Sequence, residues 1–102
     1  MQPNITVIHM RSVNTYKNLG YKVIDITRRS PYGNPFVMTE EAQRDSVCEQ
    51  YISYFNGRKD LQDKLYSEVK LHPKVALACW CKPKRCHGDS LKTWLETRFT
   101  NA

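Results

Sequence analysis

Residues 79 to 90, CWCKPKRCHGDS, concentrate reactive side chains in one short segment. Three of the four cysteines lie here, beside a histidine, a Gly-Asp pair and three basic residues. Three chemistries fit this composition. They are a zinc site, a reactive thiol, and a turn between a strand and a helix that binds an anionic ligand.

A zinc site would take its ligands from Cys79, Cys81, Cys86 and His87, which form a chemically reasonable tetrahedral set. The spacing argues against it, because structural zinc sites usually pair cysteines as C-x2-C, and two adjacent residues rarely point at one metal. A disulfide is not indicated either, since residues i and i+2 of a strand bridge poorly. We therefore expect reduced thiols, with no metal and no other cofactor.

A reactive thiol would be Cys86, which follows two basic residues and precedes a predicted helix, a setting that favours the thiolate. His87 or Asp89 would then act as the acid or base. Cysteine is also one of the most buried residue types. Cys79 and Cys81 are therefore most simply explained as packing residues of an apolar strand.

The third chemistry uses CHGDS as a junction whose backbone N–H groups and helix dipole point at an anion. Gly88 would allow close backbone approach, and Arg11 and Arg28 would bind phosphate in a bidentate manner. Asp89 would either cap the helix or hydrogen-bond a ribose hydroxyl or a base edge.

Hydrophobic patterning predicts the elements that must position these groups. Strands are predicted at 5–10, 21–27 and 74–81, while 11–20 is either one short helical turn closed by Gly20 or irregular. Three further helices are predicted. The first is capped by Thr39, the second ends before Pro73, and the last is capped by Asp89 or Ser90. Their predicted inward residues are Ala42, Val47, Cys48, Tyr51, Ile52 and Phe55, then Leu61, Leu65 and Val69, then Leu91, Trp94, Leu95 and Phe99.

The order β-β-α-α-β-α indicates one small α/β domain over residues 1–102, with a mainly parallel three-stranded sheet flanked by helices. Parallel sheets bind ligands beyond the carboxyl ends of their strands. Arg11 follows the first strand, Arg28, Arg29 and Ser30 follow the second, and 79–89 follows the third. If the strands are parallel, these groups share one edge of the sheet.

The loop RRSPYGNPF, residues 28–36, has two possible roles. Its turn residues favour a rigid connection, in which Gly33 permits a positive φ and two prolines restrict the backbone. Alternatively it is a substrate loop in which Ser30 and Asn34 contact a ligand and Tyr32 stacks on a base or sugar. Asp25, inside the second predicted strand, is expected to pair with one of the arginines, Arg11 or Arg28.

Composition and charge define the class of partner. The 102 residues carry 16 Lys+Arg against 10 Asp+Glu, and this net charge of +6 favours anionic partners such as nucleotides, phosphorylated metabolites or nucleic acid. The basic residues are scattered rather than arranged in a recognised nucleic-acid motif, although KPKR could contact a phosphate backbone. No apolar run is long enough for a membrane span or a signal core, so we expect a cytoplasmic protein with no membrane partner.

Four ordered motifs also resemble those of a known family: VIHMR, RRSPYGNPF, CEQYISYF and CWCKPKRCHGD. The family is an uncharacterised domain of unknown function found in phages and bacteria. The resemblance marks Arg11, Arg28, Ser30, Gly33, Asn34, Pro35, Phe36, Cys79, Trp80, Cys81, Pro83, Cys86, His87, Gly88 and Asp89. The chain departs from the pattern at Arg29, usually Gly, and at Tyr32, often Trp. Arg29 would therefore add a phosphate contact or narrow the pocket.

Together these features predict a domain that binds a nucleotide or a nucleotide-derived, phosphate-bearing small molecule at the carboxyl ends of the strands. The predicted ligand-binding residues are Arg11, Arg28, Arg29, Ser30, Tyr32, Gly33, Asn34 and Gly88. The family's distribution suggests a phage protein, in the cytoplasm of its bacterial host, that sequesters or processes a nucleotide signal. Two alternatives stay open: an enzyme that acts on an N-glycosidic or phosphoryl bond with Cys86, His87 and Asp89, and a zinc-stabilised nucleic-acid-binding module. The oligomeric state is not predicted.

Overall fold

Three parallel strands form the sheet on which the rest of the chain packs. The computed structural model describes residues 2–101. Its strands are β1 (Asn4–His9), β2 (Lys22–Asp25) and β3 (Lys74–Cys79), in the spatial order β1-β3-β2 with both pairs parallel. His9 lies opposite Cys79 and Asp25 opposite Ala78, so the carboxyl ends of all three strands meet at one edge. This confirms the predicted parallel sheet.

Four helices surround the sheet: α1 (Val13–Asn18), α2 (Arg44–Asn56), α3 (Lys59–Val69) and α4 (His87–Thr100). Short 3-10 turns, Met10–Ser12 and Glu41–Gln43, precede α1 and α2. The segment that the sequence left undecided is thus helical, and Gly20 follows it with a φ of 89°. Within residues 2–101, no helix has the length and apolar character needed to cross a membrane.

The two crossover connections run in opposite directions across the sheet. The chain passes from β1 over β3 to β2 through α1, then returns to the central β3 through α2 and α3. Two crossovers of the same hand that run in opposite directions must place their helices on opposite faces. The packing fits this rule, because Val13 and Tyr16 of α1 pack with Ile8, Ala76 and Ala78 on one face.

The larger core lies on the other face of the sheet. Sheet residues such as Val75 and Leu77 pack there against buried side chains of α2, α3 and α4. The predicted stripes are buried at Cys48, Tyr51 and Phe55, at Leu61, Leu65 and Val69, and at Leu91 and Leu95. Ala42 is exposed, because it belongs to the 3-10 turn before α2 and not to the buried face of the helix.

Two predicted helix starts are wrong, for a local reason in each case. Before α2, the Gln43 side chain accepts hydrogen bonds from the N–H groups of Thr39 (2.9 Å) and Glu40 (3.3 Å), so a 3-10 turn capped by Glu40 comes first. At α4 the N-cap is Cys86, and Asp89 accepts the Cys86 N–H from inside the first turn at 3.2 Å.

Candidate functional site

A cavity of about 580 Å³ lies beside the carboxyl ends of β2 and β3. Its walls come from the loop after β2, from the first turns of α2, and from the segment that joins β3 to α4. The lining residues are Thr27, Arg28, Arg29, Asn34, Phe36, Met38, Arg44, Val47, Cys48, Cys79, Trp80, Cys81, Arg85, Cys86 and His87.

This cavity brings together part of the predicted site. Among the predicted ligand-binding residues, Arg28, Arg29 and Asn34 line it, and so do the predicted catalytic residues Cys86 and His87. Six other predicted residues are not among its lining residues: Arg11, Ser30, Tyr32, Gly33, Gly88 and Asp89. The predicted residues in the lining can touch a ligand in this cavity, whereas the other six are not placed to do so.

Arg28 is the cavity arginine whose charge is least engaged by the protein. It is exposed, its Nη2 donates to the Phe36 carbonyl at 3.3 Å, and it forms no ion pair within residues 2–101. The neighbouring Arg29 pairs with Asp25 at 3.3 Å, so the acid's partner is neither of the two predicted arginines. Although burial opposes it, the backbone N–H of Thr27, which donates to Asp25 at 2.7 Å, and the guanidinium of Arg29 lower the pKa of Asp25.

The other two cavity arginines are already paired with carboxylates. Arg44 contacts Glu41 at 2.8 Å and also donates to the Arg85 carbonyl at 2.9 Å. Arg85 contacts Asp45 at 3.0 Å and Glu49 at 2.7 Å. Hydrogen bonds to these acids raise the pKa of both guanidinium groups. Their charges are largely compensated before any ligand arrives.

The remaining basic residues of KPKR are paired as well. Lys82 contacts Asp89 at 2.8 Å, and Lys84 contacts Glu41 at 3.3 Å. In addition, Asp89 Oδ2 accepts the N–H of Cys86 at 3.2 Å. Asp89 thus holds the start of α4 and does not line the cavity, and the lysines predicted to contact phosphate are engaged by the protein's own acids.

All four cysteines are free thiols that line the cavity. The Sγ atoms of Cys79 and Cys86 lie 3.1 Å apart in the buried wall. The hydrogen-bond contact with Cys86, supported by the backbone N–H groups of Cys81 and Lys82, lowers the pKa of Cys79. The same thiol contact, together with burial, raises the pKa of Cys86. The structure therefore favours the thiolate on Cys79, not on Cys86 as predicted.

His87 joins the two walls of the cavity. Its Nε2 lies 2.7 Å from the Ile26 carbonyl, which can only accept, so Nε2 carries the proton. Burial lowers the pKa of His87, and its ring packs against Tyr51 with centroids 4.8 Å apart. A neutral, hydrogen-bonded imidazole holds the end of the second strand against α4.

The predicted stacking role of Tyr32 is wrong, because its side chain is buried in the core. Its hydroxyl donates to Glu68 at 2.9 Å, and its carbonyl accepts from the Tyr51 hydroxyl at 2.8 Å. Ser30 is a turn residue, since its hydroxyl donates to the Thr27 carbonyl at 2.9 Å and accepts the Tyr32 N–H at 3.2 Å.

The two glycines of the predicted site serve close packing. A Cβ on Gly33 would lie 2.6 Å from the Arg28 Cα and 2.6 Å from the Thr27 carbonyl oxygen. Its φ is not positive, since Gly20 is the glycine with a positive φ within residues 2–101. A Cβ on Gly88 would lie 2.7 Å from Ile26 Cδ1. The close approach at Gly88 is therefore to the sheet and not to a ligand.

Arg11 reaches the predicted edge of the sheet but not the cavity. It follows β1, and the central β3 separates β1 from β2. The cavity lies on the β2 side of β3, so the exposed Arg11 side chain is not part of its lining.

Several residues that line the cavity received no ligand-binding role from the sequence, although the family resemblance marks Trp80. Trp80 is 61% exposed and packs edge-on against His9, with centroids 5.7 Å apart. Thr27 carries a buried hydroxyl that has no hydrogen-bond partner in the part of the chain that the structure describes. The predicted strand continued through Cys81, because an apolar run buried on both faces gives no alternation to mark its end. The observed end at Cys79 places Trp80 at the cavity mouth.

The described residues also bear on the zinc hypothesis. Within residues 2–101, no group of three or more His, Cys, Asp or Glu side chains is arranged to hold a metal ion. His87, one of the four candidate ligands, has its Nε2 engaged by Ile26.

Comparison with protein families identifies the domain. A family model described as a domain of unknown function, DUF4326, matches residues 8–97, so the chain belongs to this family. Searches of curated proteins and of solved structures found no match to the chain.

Proposed function

We propose that this DUF4326 domain binds a nucleotide or a nucleotide-derived, phosphate-bearing small molecule in the cavity at the carboxyl edge of the sheet. One observation carries the proposal. Within residues 2–101 Arg28 lines the cavity without a carboxylate partner, whereas Arg44 and Arg85 are compensated by acids of the protein. A guanidinium of this kind binds phosphate through two parallel N–H···O bonds.

The size and the walls of the cavity suit such a ligand. A volume of about 580 Å³ lies within the range of small-molecule and cofactor pockets. Phe36, Met38 and Val47 supply apolar surface, and the exposed Trp80 supplies an aromatic face on which a base can stack. Trp80 thus takes the stacking role that the sequence assigned to Tyr32.

Two polar groups are placed to contact the sugar or phosphate. Among residues 2–101 the Thr27 hydroxyl has no hydrogen-bond partner, and a ligand oxygen would satisfy it at no cost to the protein's own hydrogen bonds. Asn34 also lines the cavity, where its Oδ1 accepts the Phe36 N–H at 2.9 Å and its Nδ2 donates to Val47 at 3.4 Å. The amide is therefore held in a fixed orientation.

The geometry supports binding more than catalysis by the trio Cys86, His87 and Asp89. Asp89 lies outside the cavity lining, His87 holds the Ile26 carbonyl, and Cys86 keeps its proton. We extend the proposal, on the family resemblance, to a phage protein that sequesters or processes a nucleotide signal in the cytoplasm of its host. Cleavage of an N-glycosidic or phosphoryl bond is the second outcome that the experiment distinguishes.

The test is a thermal-shift panel of mono-, di-, cyclic and ADP-ribose-type nucleotides, followed by calorimetry and mass analysis of the recovered ligand. We expect one class to stabilise the fold and to be recovered unchanged. Arg28→Ala should weaken its binding roughly tenfold to a hundredfold, as expected for hydrogen bonds to a charged group. Trp80→Ala should weaken it through loss of stacking.

The matched control is Arg11→Ala, which removes an exposed arginine at the same sheet edge but outside the cavity. It should leave the affinity close to that of the wild type. Equal losses for Arg11→Ala and Arg28→Ala, or no stabilisation by any nucleotide, would overturn the proposal. Recovery of a cleaved ligand would replace binding by catalysis.

A further inference from the structure

Two of the cavity thiols are in direct contact. Cys79 is the last residue of β3 and Cys86 is the N-cap of α4, and residues 80–85 bring the chain back between them. Their Sγ atoms are 3.1 Å apart, although the side chains are only 1% and 2% exposed. Within residues 2–101, this is the only thiol pair at hydrogen-bond distance.

The two sulfur atoms of this contact lie in different environments. The backbone N–H groups of Cys81 and Lys82 point at the Cys79 sulfur, as donors that stabilise a thiolate. The Lys82 ammonium adds a positive charge near the pair. Either sulfur can donate in the 3.1 Å contact, and the backbone donors around Cys79 favour Cys86 as the thiol that donates. One sulfur is thus suited to attack an electrophile, and the other is placed to attack the first.

We propose that Cys79 and Cys86 form a redox pair, which hydrogen peroxide oxidises to an intramolecular disulfide and which low-molecular-weight thiols reduce again. The proposal does not depend on the ligand of the preceding section. It assigns a second chemical property to the cavity wall.

The reaction balances in two steps. The Cys79 thiolate attacks one oxygen of hydrogen peroxide and breaks the O–O bond, which gives a sulfenic acid on Cys79 and a hydroxide ion that takes up a proton. The Cys86 sulfur then attacks the Cys79 sulfur, the sulfenic hydroxyl leaves as water with the Cys86 proton, and the S–S bond forms. Two thiols are oxidised, and one peroxide is reduced to two waters.

The approach of the two sulfurs requires little movement. A disulfide bond is about 2.05 Å long, so the sulfurs close a gap of about 1 Å. Hydrogen peroxide is small enough to reach a sulfur in the cavity wall, and the cavity of about 580 Å³ also has room for the small thiol that reduces the disulfide. These considerations select a peroxide as the oxidant.

The experiment uses the reduced, desalted full chain with one equivalent of hydrogen peroxide, followed by intact mass and peptide mapping. We expect each chain to lose two hydrogens, with one cross-link between Cys79 and Cys86 that dithiothreitol reverses. The rate of thiol loss should rise with pH at lower values than for an ordinary cysteine, because it follows the Cys79 thiolate and the pKa of Cys79 is lowered. Cys86→Ser should instead retain a sulfenic acid on Cys79 that dimedone traps.

The matched control is Cys48→Ser, since Cys48 is another buried cysteine of the same cavity wall. It should form the disulfide at the wild-type rate. Mapping of the wild type decides the case even if a serine variant fails to fold by circular dichroism. A cross-link through Cys48 or Cys81, or oxidation that spares Cys79, would overturn the proposal.

Discussion

Two loops wall the cavity, and they are held in place by different forces. The β2–α2 loop, residues 26–40, is fixed mainly by short-range hydrogen bonds, such as those of Ser30 with Thr27 and Tyr32. The β3–α4 loop, residues 80–86, is fixed by ion pairs to distant acids, above all Arg85 with Asp45 and Glu49. One loop is built from turn chemistry and the other from charge pairing.

The difference shows where an anion can bind. The β3–α4 loop has the richer basic composition, yet its lysines and its arginine are each paired with a carboxylate. The β2–α2 loop contributes Arg28, which has no such partner within residues 2–101. Unpaired charge, and not the number of basic residues, therefore locates the proposed phosphate contact.

The largest effect is expected where the β2–α2 loop packs against its own backbone. In Gly33→Ala the new Cβ would lie 2.6 Å from the Arg28 Cα and the Thr27 carbonyl, and backbone atoms cannot move aside easily. We expect a loss of about 1–3 kcal/mol in the free energy of unfolding, measured by urea denaturation. Binding of nucleotides should weaken as Arg28 is displaced.

Gly57→Ala is the control for this prediction. Its Cβ would meet the Tyr54 carbonyl at 3.6 Å, an ordinary contact distance. The free energy of unfolding should change by less than about 1 kcal/mol. Equal costs at the two positions would show that the loop is not held by close backbone packing.

The fold was largely predictable because its signals are local. Apolar β-branched runs predict the buried strands, and helical stripes such as Leu61, Leu65 and Val69 predict the buried faces of the helices. The parallel order followed from the alternation of strands and helices. The position of α1 could not be predicted in this way, because Val13–Asn18 is short and contains no buried residue to mark a stripe.

The site was predictable only in its location. Arg28, Arg29, Asn34, Cys86 and His87 reach the cavity because strand ends share an edge. The roles of other residues depend on partners distant in sequence. Tyr32 donates a hydrogen bond to Glu68, 36 positions away, and Arg85 donates one to Asp45, 40 positions away. A local sequence pattern predicts neither contact.

A smaller effect is expected from Tyr32→Phe, which tests whether the β2–α2 loop uses this tyrosine for structure. Loss of the 2.9 Å hydrogen bond to Glu68 should cost about 0.5–1.5 kcal/mol in the free energy of unfolding. Nucleotide affinity should stay unchanged because the ring is buried. A double-mutant cycle with Glu68→Gln isolates the pair, and a large loss of affinity would restore Tyr32 to the ligand site.

The two loops meet at His87, and protonation of this residue makes the stability of the protein depend on pH. Burial lowers the pKa of His87 in the folded protein, so the unfolded chain binds a proton first as the pH falls below about 6.5. The contribution of His87 to stability is therefore fully present above about pH 6.5 and decreases as the pH falls. Urea midpoints measured between about pH 5 and 6.5 report this loss of stability.

His87→Gln is the matched variant, since a glutamine amide can still donate to the Ile26 carbonyl but does not titrate in this range. Its urea midpoint should vary less with pH than that of the wild type. An identical slope in the two proteins would mean that His87 is protonated as readily in the folded state as in the unfolded one.

The smallest change in stability is expected from the ion pairs of the β3–α4 loop. The double variant Asp45→Asn, Glu49→Gln should lower the free energy of unfolding by about 0.2–1 kcal/mol, because both acids are largely exposed. The same change leaves Arg85, which lines the cavity, without its carboxylates. Affinity for pyrophosphate, measured by calorimetry at low salt, should therefore increase, and high salt should remove the increase. If the affinity does not rise, or rises equally in the control Asp60→Asn, Asp63→Asn, which adds the same charge outside the cavity lining, pairing does not decide which arginine is available, and the distinction between the two loops fails.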